Sequence, residues 1–288
     1  MGRVAASSAP GFADPSARLR ERYLAMVRAA APAGAVQPVV GILDPTEVTE
    51  DLCHIRLLTR WLVEAGFRVV RGAPFNLHAS SGRRIGLFGQ PCDVLLRHYK
   101  TDCWAQQRRL WQQAPLPPQH APLARELALI AAAMAAGTLG VLNPWGTAIA
   151  QNKRTLALPW ELPGLFNAET LESVRRHLPE TRFLDSLPQA QLIAEREQWV
   201  LKSDYGCEGA EVLVGRHCEA ALWRTCLAQA VPERWIVQRA FTPQLDGDGR
   251  TVNTGVFLVG GMPSGLYTRT SLGPTGSGAL SRPTLVGA

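Results

Sequence analysis

Lysine is scarce in this sequence. Of 30 basic residues among 288, only three are lysines, at positions 100, 153 and 202. Arginine carries nearly all the positive charge, so each remaining lysine raises the question of whether its site requires an ammonium. A compact ammonium fits one phosphate oxygen in a tight loop, where a planar guanidinium fits less easily. The alternative is that three lysines persist by chance. Lys202 stands in WVLKSDYGCEG, residues 199–209, beside a cluster of glycines.

Other absences exclude whole classes. No G-x-x-x-x-G-K-[ST] occurs, so this is not a P-loop protein. No G-x-G-x-x-G follows the first apolar strand; GILDPTE stands there, which argues against a dinucleotide site. No G-x-S-x-G supports a hydrolase elbow. The six cysteines, at 53, 92, 103, 207, 218 and 226, form no C-x-x-C pair, which disfavours zinc. The N-terminus has no apolar core of signal-peptide length, and the longest apolar run, near 127–136, is too short to span a bilayer. A soluble cytoplasmic protein is expected, with no membrane partner. The net charge of +6 is compatible with anionic ligands, but no basic patch interleaved with aromatics argues for nucleic acid.

Periodicity divides what is present. Residues 1–36 read as an Ala-rich tail with one helix over 15–31. QPVVGILD, FRVVRG, PCDVLLRHY and TLGVLNP read as buried strands, separated by helical patterns at 48–66 and 123–137. Strands alternating with helices imply a parallel sheet covered on both faces. Residues 37–143 are therefore expected to form a Rossmann-like layer. From 144 to 288 the texture becomes mixed α+β. TAIAQNKRTLALPW reads as a helix carrying Lys153, and QAQLIAE as a short strand. QWVLKS and AEVLVG flank the turn DYGCEG and read as a β-hairpin. RWIVQRAF, TVNTGVFLVGG and SGLYTRTS read as strands.

Backbone N–H groups of a glycine-rich turn approach phosphate oxygens without obstruction. A tight glycine hairpin with an exposed lysine is the bland alternative. The company of Lys153, Gln238 and Arg269 favours a nucleotide held between two β-layers, with the charges on phosphates and the Gln amide on an adenine edge.

In order along the chain, CDVLLRHY, GVLNPWGTAIAQNKRTLAL, WVLKSDYGCEGAEVLVG, WIVQRAF and NTGVFLVGGMPSGLYTRTS resemble motifs of the circularly permuted ATP-grasp family, close to glutathionylspermidine synthase-like ligases. The resemblance covers about residues 37–286. It implies an α/β fold, α+β in the second half: a Rossmann-like pre-ATP-grasp layer followed by an ATP-grasp-type nucleotide-binding region. It further implies an ATP- and Mg2+-dependent carboxylate–amine ligase that forms an amide through an acylphosphate, acting on small-molecule or peptide carboxylate and amine substrates. By position, Lys153 and Lys202 would contact the phosphates. Gly206, Glu208 and Gly209 would form a lid, Gln238 would face the adenine, and Arg269 would stabilise the transferring phosphate.

The chain departs from the family loop K-P-x-x-G-R-E-G-A-N-V at Ser203, Cys207 and Glu211. Cys207 lacks a positioned histidine that would make it a nucleophile. The family's metal-binding acid-x-Asn element, followed by Pro-Ser-Gly, is matched only at its end, by DPSARLRERY. Asp14 is the sole acid before Glu21, and Asp246 and Asp248 are fallback ligands. The metal ligands are therefore unknown, and the catalytic half is expected to be N-terminally incomplete. A partner chain supplying the acids, or a catalytically incomplete nucleotide-binding module, is the alternative.

Overall fold

The computed structural model describes residues 11–44, 51–99, 104, 110–114, 123–206, 209, 211–276 and 278–287. Its first half is built on a parallel sheet of β2 (Val39–Leu43), β3 (Arg68–Gly72), β7 (Val94–Arg97) and β8 (Gly140–Leu142), in the order β3-β2-β7-β8. Side chains alternate across it. Val40, Ile42, Val94 and Leu96 face α1 (Leu19–Ala30) and α2 (Leu52–Glu64), meeting Leu24, Val27, Ile55 and Leu62. Val39, Leu43 and Leu95 face the other way, toward α3 (Ala124–Ala135) with Ile130 and Ala133. The same side is closed by a meander of β4 (Leu77–Ser80), β5 (Arg84–Leu87) and β6 (Gln90–Cys92). Burial on both faces is why these strands are continuous apolar runs.

Gly41 permits this packing, because a Cβ there would meet Cys92 Sγ at 2.9 Å. At Gly140 the constraint is harder: a Cβ would lie 1.8 Å from the Ala30 carbonyl oxygen. The end of α1 is thereby seated on β8. The opposite end of α1 reaches the second half, where Arg22 donates to Pro263 O and to Ser264 Oγ. Just before it, Ser16 Oγ donates to Leu266 O at 3.2 Å.

The second half contains an antiparallel sheet of β9 (Thr181–Phe183), β10 (Trp199–Ser203), β11 (Val212–Val214) and β12 (Trp235–Arg239), in the order β11-β10-β12-β9. One face carries Trp199, Leu201, Trp235 and Val237 against Leu192 and Trp223. A separate sheet holds β13 (Thr251–Val259), β14 (Met262–Ser271) and β15 (Leu280–Arg282). The ends of the described chain meet where β1 (Phe12–Ala13) pairs with β16 (Val286–Gly287).

Three local expectations are corrected. The QAQLIAE segment is helical, α6 (Gln189–Ala194), because a short helix seats Leu192 on Trp223 and needs no partner strand. The segment around Lys153 is not one helix. It breaks at Asn152, which has extended backbone and accepts Arg154 N on its own side chain, separating α4 (Thr147–Gln151) from α5 (Leu158–Glu161). The first helix starts at Leu19 rather than Pro15, since Asp14 Oδ1 accepts Ser16 N and forms a turn. None of the described helices is long and apolar enough to cross a membrane.

Gly140→Ala should lower stability by about 2 kcal/mol, since the neighbouring atom is backbone and cannot rotate away. A thermal melt should drop by roughly 5 °C; an unchanged midpoint would show that α1 is not seated on β8 as described.

Candidate functional site

The sheet face turned away from the Trp199–Trp235 core carries Val200, Lys202, Ile236, Gln238 and Thr181. Register explains the grouping: Lys202 lies opposite Ile236, while Gln238 lies opposite both Val200 and Thr181. Lys202 Nζ donates to Gln238 Oε1 at 2.6 Å, and Gln238 Nε2 donates to Thr181 Oγ1 at 2.8 Å. Lys202 and Gln238 thus meet across one strand boundary, although 36 residues separate them in sequence.

Beyond Lys202 the chain turns through Asp204. Its carboxylate is buried and forms a two-pronged pair with Arg234, at 2.6 Å to Nε and 2.9 Å to Nη2. Its backbone exchanges further bonds: Asp204 N donates to Arg234 O, and Asp204 O accepts Lys153 N at 2.7 Å. Lys153 then reaches over the turn, with Nζ donating to Tyr205 O at 3.1 Å and Gly206 O at 3.0 Å. The kink at Asn152 sends Lys153 and Arg154 in different directions. Arg154 stacks over the Phe183 ring at 4.1 Å and donates to Pro232 O and Trp235 O, which anchors the turn to the sheet.

Glycine is required at Gly206, where φ is +115° and a Cβ would lie 2.1 Å from Glu211 Oε2. Gly209 also has positive φ, +79°, and its Cβ would lie 3.3 Å from Thr275 O. The next residue, Gly276, accepts Arg269 Nη2 at 2.8 Å. The glycine turn therefore borders Lys153 on one side and the segment held by Arg269 on the other. Arg269 belongs to the separate β14 sheet and meets this neighbourhood through its bond to Gly276. Glu208 and Cys207 lie outside the described residues.

Electrostatics single out Lys202. Its pKa is lowered, first by burial and second by the Lys153 ammonium. Its described partner is a neutral amide. Two ammonium groups brought together, one of them desolvated over an amide, are stabilised by an anion arriving between them. A polyphosphate chain meets this need, so the residues present fit the phosphates of a nucleotide. Gln238 is 5% exposed and has both ends of its amide engaged, so its visible role is to hold Lys202.

The acids fare differently. Asp246 Oδ1 accepts Asp248 N and Arg250 N and is used to close its own turn. Asp14 lines a cavity of about 430 Å3 with Ser16, Trp61, Tyr267 and Arg282. Glu21 pairs with Arg18 on the surface. Among the described residues no three of His, Cys, Asp and Glu come together to hold a metal ion. These residues alone do not make a magnesium site.

Sequence reading missed Asp204, Arg234 and Thr181. Asp204 directly follows the Lys202 strand, and an acid ending a buried strand is a signal for a paired cation. Nothing in the sequence marks Arg234 as its partner, since the pair forms across 30 residues.

A family model described as glutathionylspermidine synthase preATP-grasp matches residues 16–277. A search of curated proteins returns no match. Among solved structures, a glutathione synthetase-like effector from Globodera pallida superposes with a TM-score of 0.52 at 12% identity, covering 91% of this chain. This chain spans 58% of that protein's length, and the likeness shows a shared fold. D-alanyl-alanine synthetase A from Vibrio cholerae is similar at TM-score 0.47 and 11% identity, covering 87% of this chain and 74% of its own. A RimK domain ATP-grasp protein from Sphaerobacter thermophilus gives 0.43 and 22%, covering 80% and 72%.

Two outcomes are expected of the site itself. A lysine whose folded pKa lies below its unfolded value disfavours folding while protonated, and the cost disappears as pH rises to the ordinary lysine range. The melting temperature of the wild type should therefore rise relative to that of Lys202→Met between about pH 7 and pH 10; parallel curves would contradict the buried ammonium. Asp204→Ala leaves the Arg234 guanidinium without its carboxylate and should cost about 3 kcal/mol in chemical denaturation.

Proposed function

We propose that this chain, which belongs to the glutathionylspermidine synthase pre-ATP-grasp family, binds a nucleoside triphosphate and acts as an ATP-dependent carboxylate–amine ligase. The observation that carries the reading is the meeting of Lys153 and Lys202 at one glycine turn, with Lys202 desolvated over a neutral amide. The resemblance of its motifs to those of carboxylate–amine ligases supports the choice of reaction. ATP supplies a phosphoryl group to a substrate carboxylate, and an amine displaces phosphate from the resulting acylphosphate to form an amide.

Chemistry of this kind rests on positioning and charge neutralisation. Lys202 places an ammonium on the polyphosphate. Lys153 fastens the turn to the chain ahead of α5 and adds the second charge. Gly206 and Gly209 leave their backbone open to phosphate oxygens, and Glu208 completes the lid. Arg269, bordering the turn through Gly276, turns from that carbonyl to the transferring phosphate. Gln238 lies at the adenine end of the same face. The substrates are a small-molecule or peptide carboxylate and an amine. Magnesium belongs to the reading as the usual companion of a triphosphate, and no step above is routed through it. We place the boundary between the layer and the nucleotide-binding region near residue 143, with α1 packed into the layer.

A second reading is a nucleotide-binding module that does not turn over, or a subunit whose metal ligands come from a partner chain. It is favoured by the use of the Asp246 carboxylate within its own turn.

ADP release with candidate carboxylate–amine pairs, ATP and magnesium should fall by about 100-fold in Lys202→Ala. Equal release by both proteins rules out the phosphate role of Lys202. Calorimetric binding of ATP with no ADP release under any pair supports the second reading instead.

A further inference from the structure

Thr181 and Gln238 form a relay beneath Lys202 whose direction is dictated by hydrogen-bond chemistry. A glutamine amide has two possible orientations, and its partners decide between them. The relay begins at Pro179, whose carbonyl can only accept. Thr181 Oγ1 donates its single proton to that carbonyl at 3.0 Å. Toward Gln238 the hydroxyl can therefore only accept, which fixes Nε2 on the Thr181 side at 2.8 Å. The amide oxygen is left facing Lys202, whose ammonium is a donor only, at 2.6 Å. All four groups agree on one direction, and reversing the amide would set its N–H groups against the ammonium. Thr181 is fully buried and Gln238 nearly so, so water does not substitute for either partner.

We infer that Thr181 and Gln238 are positioning residues that lock the Lys202 ammonium toward the anion site, with Thr181 acting through Gln238. This rests on the reading of Lys202 as a polyphosphate ligand. Neither side chain needs to touch the ligand. Thr181 cross-strand pairs with Gln238 on β9 and β12, and Lys202 follows on β10, so the sheet itself holds the relay in register.

The scarcity of lysine makes the inference testable. Labelling lysine Nζ with 15N gives at most three side-chain resonances, from Lys100, Lys153 and Lys202, and Lys202→Ala assigns one by its loss. In the wild type the Lys202 resonance should be slowed in proton exchange relative to an exposed lysine. Thr181→Val keeps the shape and removes the hydroxyl; the resonance should lose that protection, and affinity for inorganic tripolyphosphate should fall about tenfold by calorimetry, a loss of ~1.4 kcal/mol. Thr181→Ser restores the hydroxyl and should return both readouts to wild-type values. If Thr181→Val does not fold, Gln238→Glu carries the test: its carboxylate pairs with Lys202, and tripolyphosphate affinity should again fall at least tenfold. Wild-type protein that fails to bind tripolyphosphate overturns the anion-site reading on which the relay depends. Wild-type protein that binds, with unchanged affinity and unchanged Lys202 exchange in Thr181→Val, or with unchanged affinity in Gln238→Glu where that variant carries the test, overturns the relay alone.

Discussion

A partly buried ammonium over a neutral amide is the constraint from which the second half of this molecule follows. Desolvating Lys202 is unfavourable, and the neighbouring Lys153 makes it more so. Such an arrangement persists only where surrounding structure holds it in place. Here the holding is done by four hydrogen-bonded strands, by the Thr181–Gln238 relay, and by a turn pinned through the Asp204–Arg234 pair. An anion is the natural complement of the site.

Arginines of the second half serve as anchors. Arg234, Arg154 and Arg239 are all placed against carboxylates, carbonyls or rings. Their planar guanidinium groups make several directed bonds at once, which suits anchoring. The two described lysines differ from each other. Lys153 spans carbonyls of the glycine turn, and Lys202 meets a neutral amide.

Connection between the halves runs through α1. Its inner residues Leu24 and Val27 belong to the core of the parallel layer, while Arg22 and the preceding Ser16 bond to β14. Gly140 and Gly265 allow the close approaches on either side, since added Cβ atoms would strike Ala30 O and Ser16 Oγ. The strand carrying Arg269 is thus tied to the layer through the Arg22 and Ser16 side chains.

The amino-acid pattern alone determined the parallel layer, because strands buried on both faces must be unbroken apolar runs such as QPVVGILD. It also determined the hairpin around the glycine turn, because alternation and glycine have local meaning, and the scarcity of lysine singled out Lys153 and Lys202. It did not reveal the break at Asn152, where a side-chain hydrogen bond competes with the helix, or the meander over residues 77–92. Only the tertiary structure decided that Lys202 faces Gln238, that Asp204 is neutralised by Arg234, and that Arg269 borders the glycine turn through Gly276. Those outcomes depend on strand register and on contacts between distant segments, which local periodicity does not encode.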